Sequence, residues 1–140
     1  MRQRAEHLCE YCHTSEDWQY VRFTIDHFIP VSDGGTNAPD NLALACFHCN
    51  RRKADKREAF DHVTKQTIAL FHPRRTYWCE HFMWSADKLH IIALTATGQA
   101  TIELLQLNRE RNLHIRQADV SVNRHPPADD PVESPEVNES

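Results

Sequence analysis

Apolar positions along the 140-residue chain fall into short runs broken by polar turns. "VRFTIDHFIPV", residues 21–31, is rich in β-branched and aromatic side chains and reads as a strand, with Pro30 at its margin. "SDGGTNAPD", residues 32–40, reads as a loop, because Gly34 and Gly35 permit positive φ and Asp33 and Asn37 favour turns. "NLALAC", residues 41–46, is short and apolar enough for a second strand. "NRRKADKREAF", residues 50–60, has Ala, Lys, Arg and Glu in helix-forming proportions. The predicted order is strand, loop, strand, cysteine turn, helix.

Further along, "HFMW" and "LHIIAL" flank "SADK" and predict a hairpin. "TGQATIELLQLN", residues 97–108, predicts a helix with Thr97 as N-cap and Ile102, Leu104 and Leu105 on its buried face. "RERNLHIRQ" either continues that helix or starts another. From Pro126 the chain is polar, acidic and proline-rich, a composition expected to stay disordered. The expected architecture is α+β: a core over residues 1–70, a hairpin-helix extension over 71–124, and an acidic tail over 125–140. No apolar run reaches the length of a membrane span, and "MRQRAEHLCEYC" lacks the apolar centre of a signal peptide. A cytoplasmic protein is the expectation.

Five cysteines change the picture: Cys9 and Cys12 form one Cys-x-x-Cys pair, Cys46 and Cys49 a second, and Cys79 is left over. In a reducing compartment, tight pairs of this kind bind metal more often than they form disulfides. Two pairs offer four thiolates to one tetrahedral zinc. The 33 residues between the pairs must then fold back on themselves. Four thiolates fill the coordination sphere, so this zinc is expected to be structural rather than catalytic. Cys79, in an apolar-aromatic run, reads as a small core residue.

Charge changes it again. The net charge of −4 is unlike a nucleic-acid binder. Five of the acids, however, lie beyond His125, where there is no Lys or Arg. "RRKADKR", residues 51–57, sets five cations against one acid directly after the second cysteine pair. On a helix, Arg51, Arg52, Lys53, Lys56 and Arg57 would supply phosphate contacts, which give affinity without sequence information. The bland alternative is a solvated helix face.

Asp26 and His27 adjoin at the end of the first predicted strand. Regular alternation would send them to opposite faces, so one site needs a break there. A carboxylate suits a hard divalent cation, and a neutral imidazole suits proton abstraction from water. Taken together, "CEYC … DHFIP … GG … NLALAC … CN … K" resembles the zinc-containing His-Asn-His (HNH) endonuclease family, over residues 9–53. The resemblance implies a ββα-metal motif with His27 as general base and Asp26 as ligand of a catalytic divalent cation, Mg²⁺ or Mn²⁺ among the candidates. It implies that Asn41 binds loop backbone and fixes the orientation of His27. The third family position holds Asn50, a His-Asn-Asn variant in which an amide oxygen would be the second ligand, with His48 a nearby alternative. Hydrolysis of a DNA phosphodiester to 5′-phosphate and 3′-hydroxyl ends is the implied reaction.

The later segment more loosely resembles extensions of some bacterial HNH proteins. Its aromatics Tyr77, Trp78, Phe82 and Trp84 either stack on bases or, as apolar clusters usually do, form a core with Ile91, Ile92, Leu94 and Leu105. Arg74 and Arg75 are weaker candidates for phosphate contacts. Two other functions compete with a DNA endonuclease: a non-catalytic zinc module binding DNA or protein, and an RNA-directed nuclease. Asp26, His27 and Asn41 together argue against the binding module, which needs none of them.

Overall fold

A computed structural model describes residues 8–14 and 23–122. The predicted acidic tail and the start of the first predicted strand lie outside these residues. The described chain is mixed α/β. Its strands are β1 (Thr24–His27), β2 (Leu42–Ala45), β3 (Glu58–Asp61), β4 (Gln66–Ala69), β5 (Phe82–Trp84) and β6 (Ile91–Ala93). Its helices are α1 (Phe47–Lys53), α2 (Trp78–His81), α3 (Ala96–Leu105) and α4 (Glu110–Ser121). The strands pair as three antiparallel two-stranded sheets, β1–β2, β3–β4 and β5–β6. None of the described helices is long and apolar enough to cross a membrane.

β1 and β2 align Asp26 with Ala43 and His27 with Leu42. Ala43, Leu44 and Ala45 are all buried. The predicted loop folds into two 3-10 turns, Val31–Asp33 and Pro39–Asn41. Gly34 takes φ of 89° at the end of the first. At Gly35 a Cβ would lie 1.7 Å from the Ile29 carbonyl oxygen, so only glycine lets the loop close there.

The predicted helix over 50–60 is corrected at both ends. α1 begins earlier, inside the cysteine pair, where the Cys46 sulfur caps it by accepting from the Cys49 amide at 3.4 Å. It stops at Lys53, because Ala54 turns to φ of 49°. Residues 58–69 then form the β3–β4 hairpin, which the composition disguised. Its positions are mostly exposed, so no apolar alternation marks it.

The β5–β6 hairpin pairs Phe82 with Ala93 and Trp84 with Ile91. α3 is capped by Thr95, whose hydroxyl accepts from the Gly98 amide at 3.0 Å, and not by Thr97 as predicted. A Cβ at Gly98 would lie 2.3 Å from the His81 carbonyl oxygen, so glycine permits the close seat of α3 on the end of α2. "RERNLHIRQ" starts a new helix, α4.

One hydrophobic core runs through both predicted segments: Cys9, Tyr11, Leu44 and Cys49 share it with Phe71, Trp78, Phe82, Trp84, Leu105 and Leu107. Trp78, Phe82 and Trp84 are buried, with the Trp78 ring tilted against both of the others, so they serve packing and not base stacking. Tyr77 is exposed. Ile92 and Leu94, expected inside, are also exposed, and Ile92 pairs with exposed Met83 on the outer face of its hairpin. Three long-range bonds tie the later segment to the first cysteine turn or its flank. Trp78 Nε1 donates to Tyr11 O at 3.2 Å, Arg116 Nη2 donates to Cys12 O at 3.1 Å, and Arg74 pairs with Glu10.

Candidate functional site

The four paired cysteines converge. Their sulfurs all lie within 4.8 Å of one another and all four residues are buried. Zinc–sulfur bonds of about 2.3 Å in a tetrahedron set sulfurs roughly 3.8 Å apart. Cys12 and Cys46 sulfurs lie 3.9 Å apart, which fits such an ion. Burial pushes the Cys9 thiol well up, whereas Cys12, against the same burial, is held well down by hydrogen bonds from Cys46 and Cys49. A buried cluster of four thiols is stable with all four ionised only when a cation compensates them. Half-buried Cys79 stands outside the cluster.

A second centre lies where β1 ends. A cleft of about 270 Å³ is lined by Asp26, His27 and Asn50, with Pro30, Val31 and Asp55 among its other walls. Asp26 and His27 both line this cleft although they adjoin on β1, which ends at His27. Asn41, buried in the 3-10 turn just before β2, grips the loop that links β1 to β2. Its Oδ1 accepts from the Ile29 amide at 2.9 Å, while its Nδ2 donates to Ile29 O at 3.0 Å and Thr36 O at 2.9 Å. His27 itself is held by Asn37, which the sequence marks only as a turn former: His27 Nε2 lies 2.7 Å from Asn37 Oδ1. An amide oxygen only accepts, so Nε2 is the donor at this contact. His48 does not line this cleft. It stands near Arg109 and Arg52, where burial first and then those cations hold its pKa down.

Asp26 is anchored from behind. Its Oδ2 accepts from the Tyr11 hydroxyl at 2.9 Å and pairs with Lys53 Nζ at 3.3 Å. Burial, and then the charge of Asp26, push the Tyr11 phenol well up, so it stays protonated and donates. Among the described residues both of these contacts fall on Oδ2 and none on Oδ1. Tyr11 carried no sequence signal beyond its place between two cysteines.

Lys53 must be removed from the predicted phosphate contacts. It is fully buried, with Nζ also donating to Phe28 O at 3.1 Å and lying 4.5 Å from the centre of the Phe28 ring. Burial lowers its pKa against the pull of Asp26. Arg51 and Arg52 are exposed on α1, though Arg52 Nε already donates to Leu104 O at 3.1 Å. Lys56 and Arg57 are exposed but follow the helix instead of lying on it. They line a larger groove of about 720 Å³ with Arg75, His72 and Phe28. Asp55 borders both this groove and the cleft of His27. The groove also carries Asp33 and Glu58, so its charge is mixed. His72, tilted against Phe28 at 4.1 Å between ring centres, has its pKa lowered to about 4, by burial and then by Arg75.

These features describe a small mixed α/β protein with a four-cysteine cluster able to hold a metal and an adjoining His-Asp-Asn cleft. The model of the HNH endonuclease family matches residues 9–56, the segment that contains both centres. The match points to a nuclease or other nucleic-acid-related function for that segment. No curated protein and no solved structure matches the chain.

Proposed function

We propose that the chain is a metal-dependent DNA endonuclease of HNH type, a His-Asn-Asn variant in which β1, β2 and α1 form the ββα-metal motif. The observation that carries this reading is that Asp26, His27 and Asn50 line one cleft, with the His27 ring held at Nε2 by Asn37. The cysteine cluster would hold a structural zinc that fixes α1, and α1 presents Asn50 to the cleft. Residues 1–70 would be the nuclease core and residues 71–124 an extension that braces it.

In this reading Asp26 Oδ1 and the Asn50 amide oxygen would hold the divalent cation, since hard cations take oxygen ligands. When bound, the cation would stabilise negative charge on the phosphate and the leaving oxygen. His27 takes a proton from the attacking water at Nδ1, while Asn37 prevents the ring from presenting the wrong nitrogen. Asn41 keeps the loop of Ile29 and Thr36 closed, and with it the mouth of the cleft. Arg51, Lys56, Arg57 and Arg75 would meet phosphates beside the cleft and in the groove that borders it.

Supercoiled plasmid incubated with zinc-loaded protein, with and without added Mg²⁺ or Mn²⁺, tests the proposal. Metal-dependent nicking or linearisation is expected. DNA binding without cleavage would support a zinc-dependent binding module instead, and cleavage confined to RNA would reassign the substrate.

A further inference from the structure

The chain holds a cation against the cysteine cluster from far outside the family match. Arg109 lies on the link between α3 and α4, 60 residues beyond Cys49. Its Nη2 donates to Cys46 Sγ at 3.4 Å and its Nη1 reaches Cys49 Sγ at 3.9 Å. Nη1 also donates to Gln106 O at 3.3 Å, and the Arg109 amide donates to the same carbonyl at 3.1 Å, which fixes the side chain's base. Arg116, another arginine nearby, donates from Nη1 and Nη2 to carbonyl and amide oxygens of Cys12, Leu89, Leu107 and Asn108, and among the described residues these bonds include none to sulfur.

Four thiolates around one divalent ion carry two net negative charges, and here those charges are buried. Such a dianion is costly to desolvate without a nearby cation. A guanidinium is a rigid planar fork, able to donate to two sulfurs at once where an ammonium would meet only one well. We propose that Arg109 is a positioning residue of the metal centre, a charge partner that neutralises half of the thiolate excess and fixes the Cys46–Cys49 turn for zinc. The later segment thereby takes part in metal retention, whichever reaction the His27 cleft performs.

Zinc affinity measured by competition with a chelator tests this directly. Arg109→Met, which keeps an apolar stem, should bind zinc about 10- to 100-fold more weakly, the usual loss when a partner of a metal ligand is removed. In protein loaded with cobalt(II), the thiolate-to-metal charge-transfer band should move to longer wavelength, because sulfurs without the hydrogen bonds are more electron-rich. Wild-type zinc affinity in folded Arg109→Met would overturn the proposal. So would weaker affinity with an unmoved band, which would mean that Arg109 only packs. Should Arg109→Met fail to fold, Arg109→Lys carries the test, since it keeps the charge and loses the fork. A smaller loss in the same direction is expected, and wild-type affinity there would overturn the proposal.

Discussion

Replacing Lys53 by Met should destabilise the protein by about 3–5 kcal/mol, the usual cost of removing one partner of a buried ion pair. Methionine keeps most of the apolar stem, so little cavity forms. The ammonium, however, disappears from between Asp26 Oδ2 and Phe28 O, at 3.3 and 3.1 Å. Asp26, 5% exposed, would keep only the Tyr11 hydroxyl. The Phe28 carbonyl would lose a donor, a loss of roughly 1–3 kcal/mol already contained in that total. Urea unfolding of zinc-loaded protein followed by circular dichroism should show a midpoint lowered by about 2 M, taking a denaturant slope of about 2 kcal/mol/M. Asp26→Asn combined with Lys53→Met should cost less than the two changes summed, because the second change removes the stranded charge. A Lys53→Met protein within about 0.5 kcal/mol of wild type would behave as a surface substitution does and refute the buried pair.

Three more outcomes follow from the same geometry. Stripping metal with a strong chelator should unfold the region of β1, β2 and α1, because structural zinc sites supply folding energy directly; an unchanged far-ultraviolet spectrum and proteolysis pattern after metal removal would contradict this. Neutralising exposed Arg51, Lys56 and Arg57 should weaken DNA binding and shrink its salt slope by about one unit at most per residue, and unchanged affinity would show a merely solvated patch. The fold favours neutral His72, with its pKa near 4, while the unfolded chain takes up a proton at about 6.5. Its contribution to stability is therefore fully present above about pH 6.5, and falls as pH drops towards 4. His72→Gln should flatten the urea midpoint in that window, and an unaltered pH dependence would rule His72 out as the cause.

Much of the candidate site was legible because its residues are close in sequence and chemically distinctive. The two Cys-x-x-Cys pairs announce a metal centre, and the Asp-His pair, the two glycines and the two asparagines fall at short spacings along one strand-loop-strand stretch. What stayed hidden depends on contacts across the chain. "RRKADKR" reads as uniform positive charge, yet packing draws Lys53 inside while its neighbours stay in water. Helix propensity favoured continuation through residue 60, but the turn at Ala54 and the β3–β4 pairing overrode it. The sulfur contacts of Arg109 and the Asn37 hold on His27 leave no periodicity or motif by which to find them. Thr97 and Thr95 are equally good caps by type, and only the register of α3 selects Thr95.

We propose that His27 is the general base of a phosphodiester cleavage, and plasmid cleavage by His27→Ala reads out that role. With saturating Mg²⁺ or Mn²⁺, the variant should lose roughly two to four orders of magnitude in rate, the usual contribution of a positioned base. It should retain zinc, thermal stability and DNA affinity, since His27 is only half-buried and belongs to neither the cysteine cluster nor the cation patch. Excess divalent metal should not restore its activity, whereas Asp26→Ala, which loses a ligand, should regain part. Cleavage by His27→Ala at the wild-type rate would contradict the assignment of this cleft as the active site.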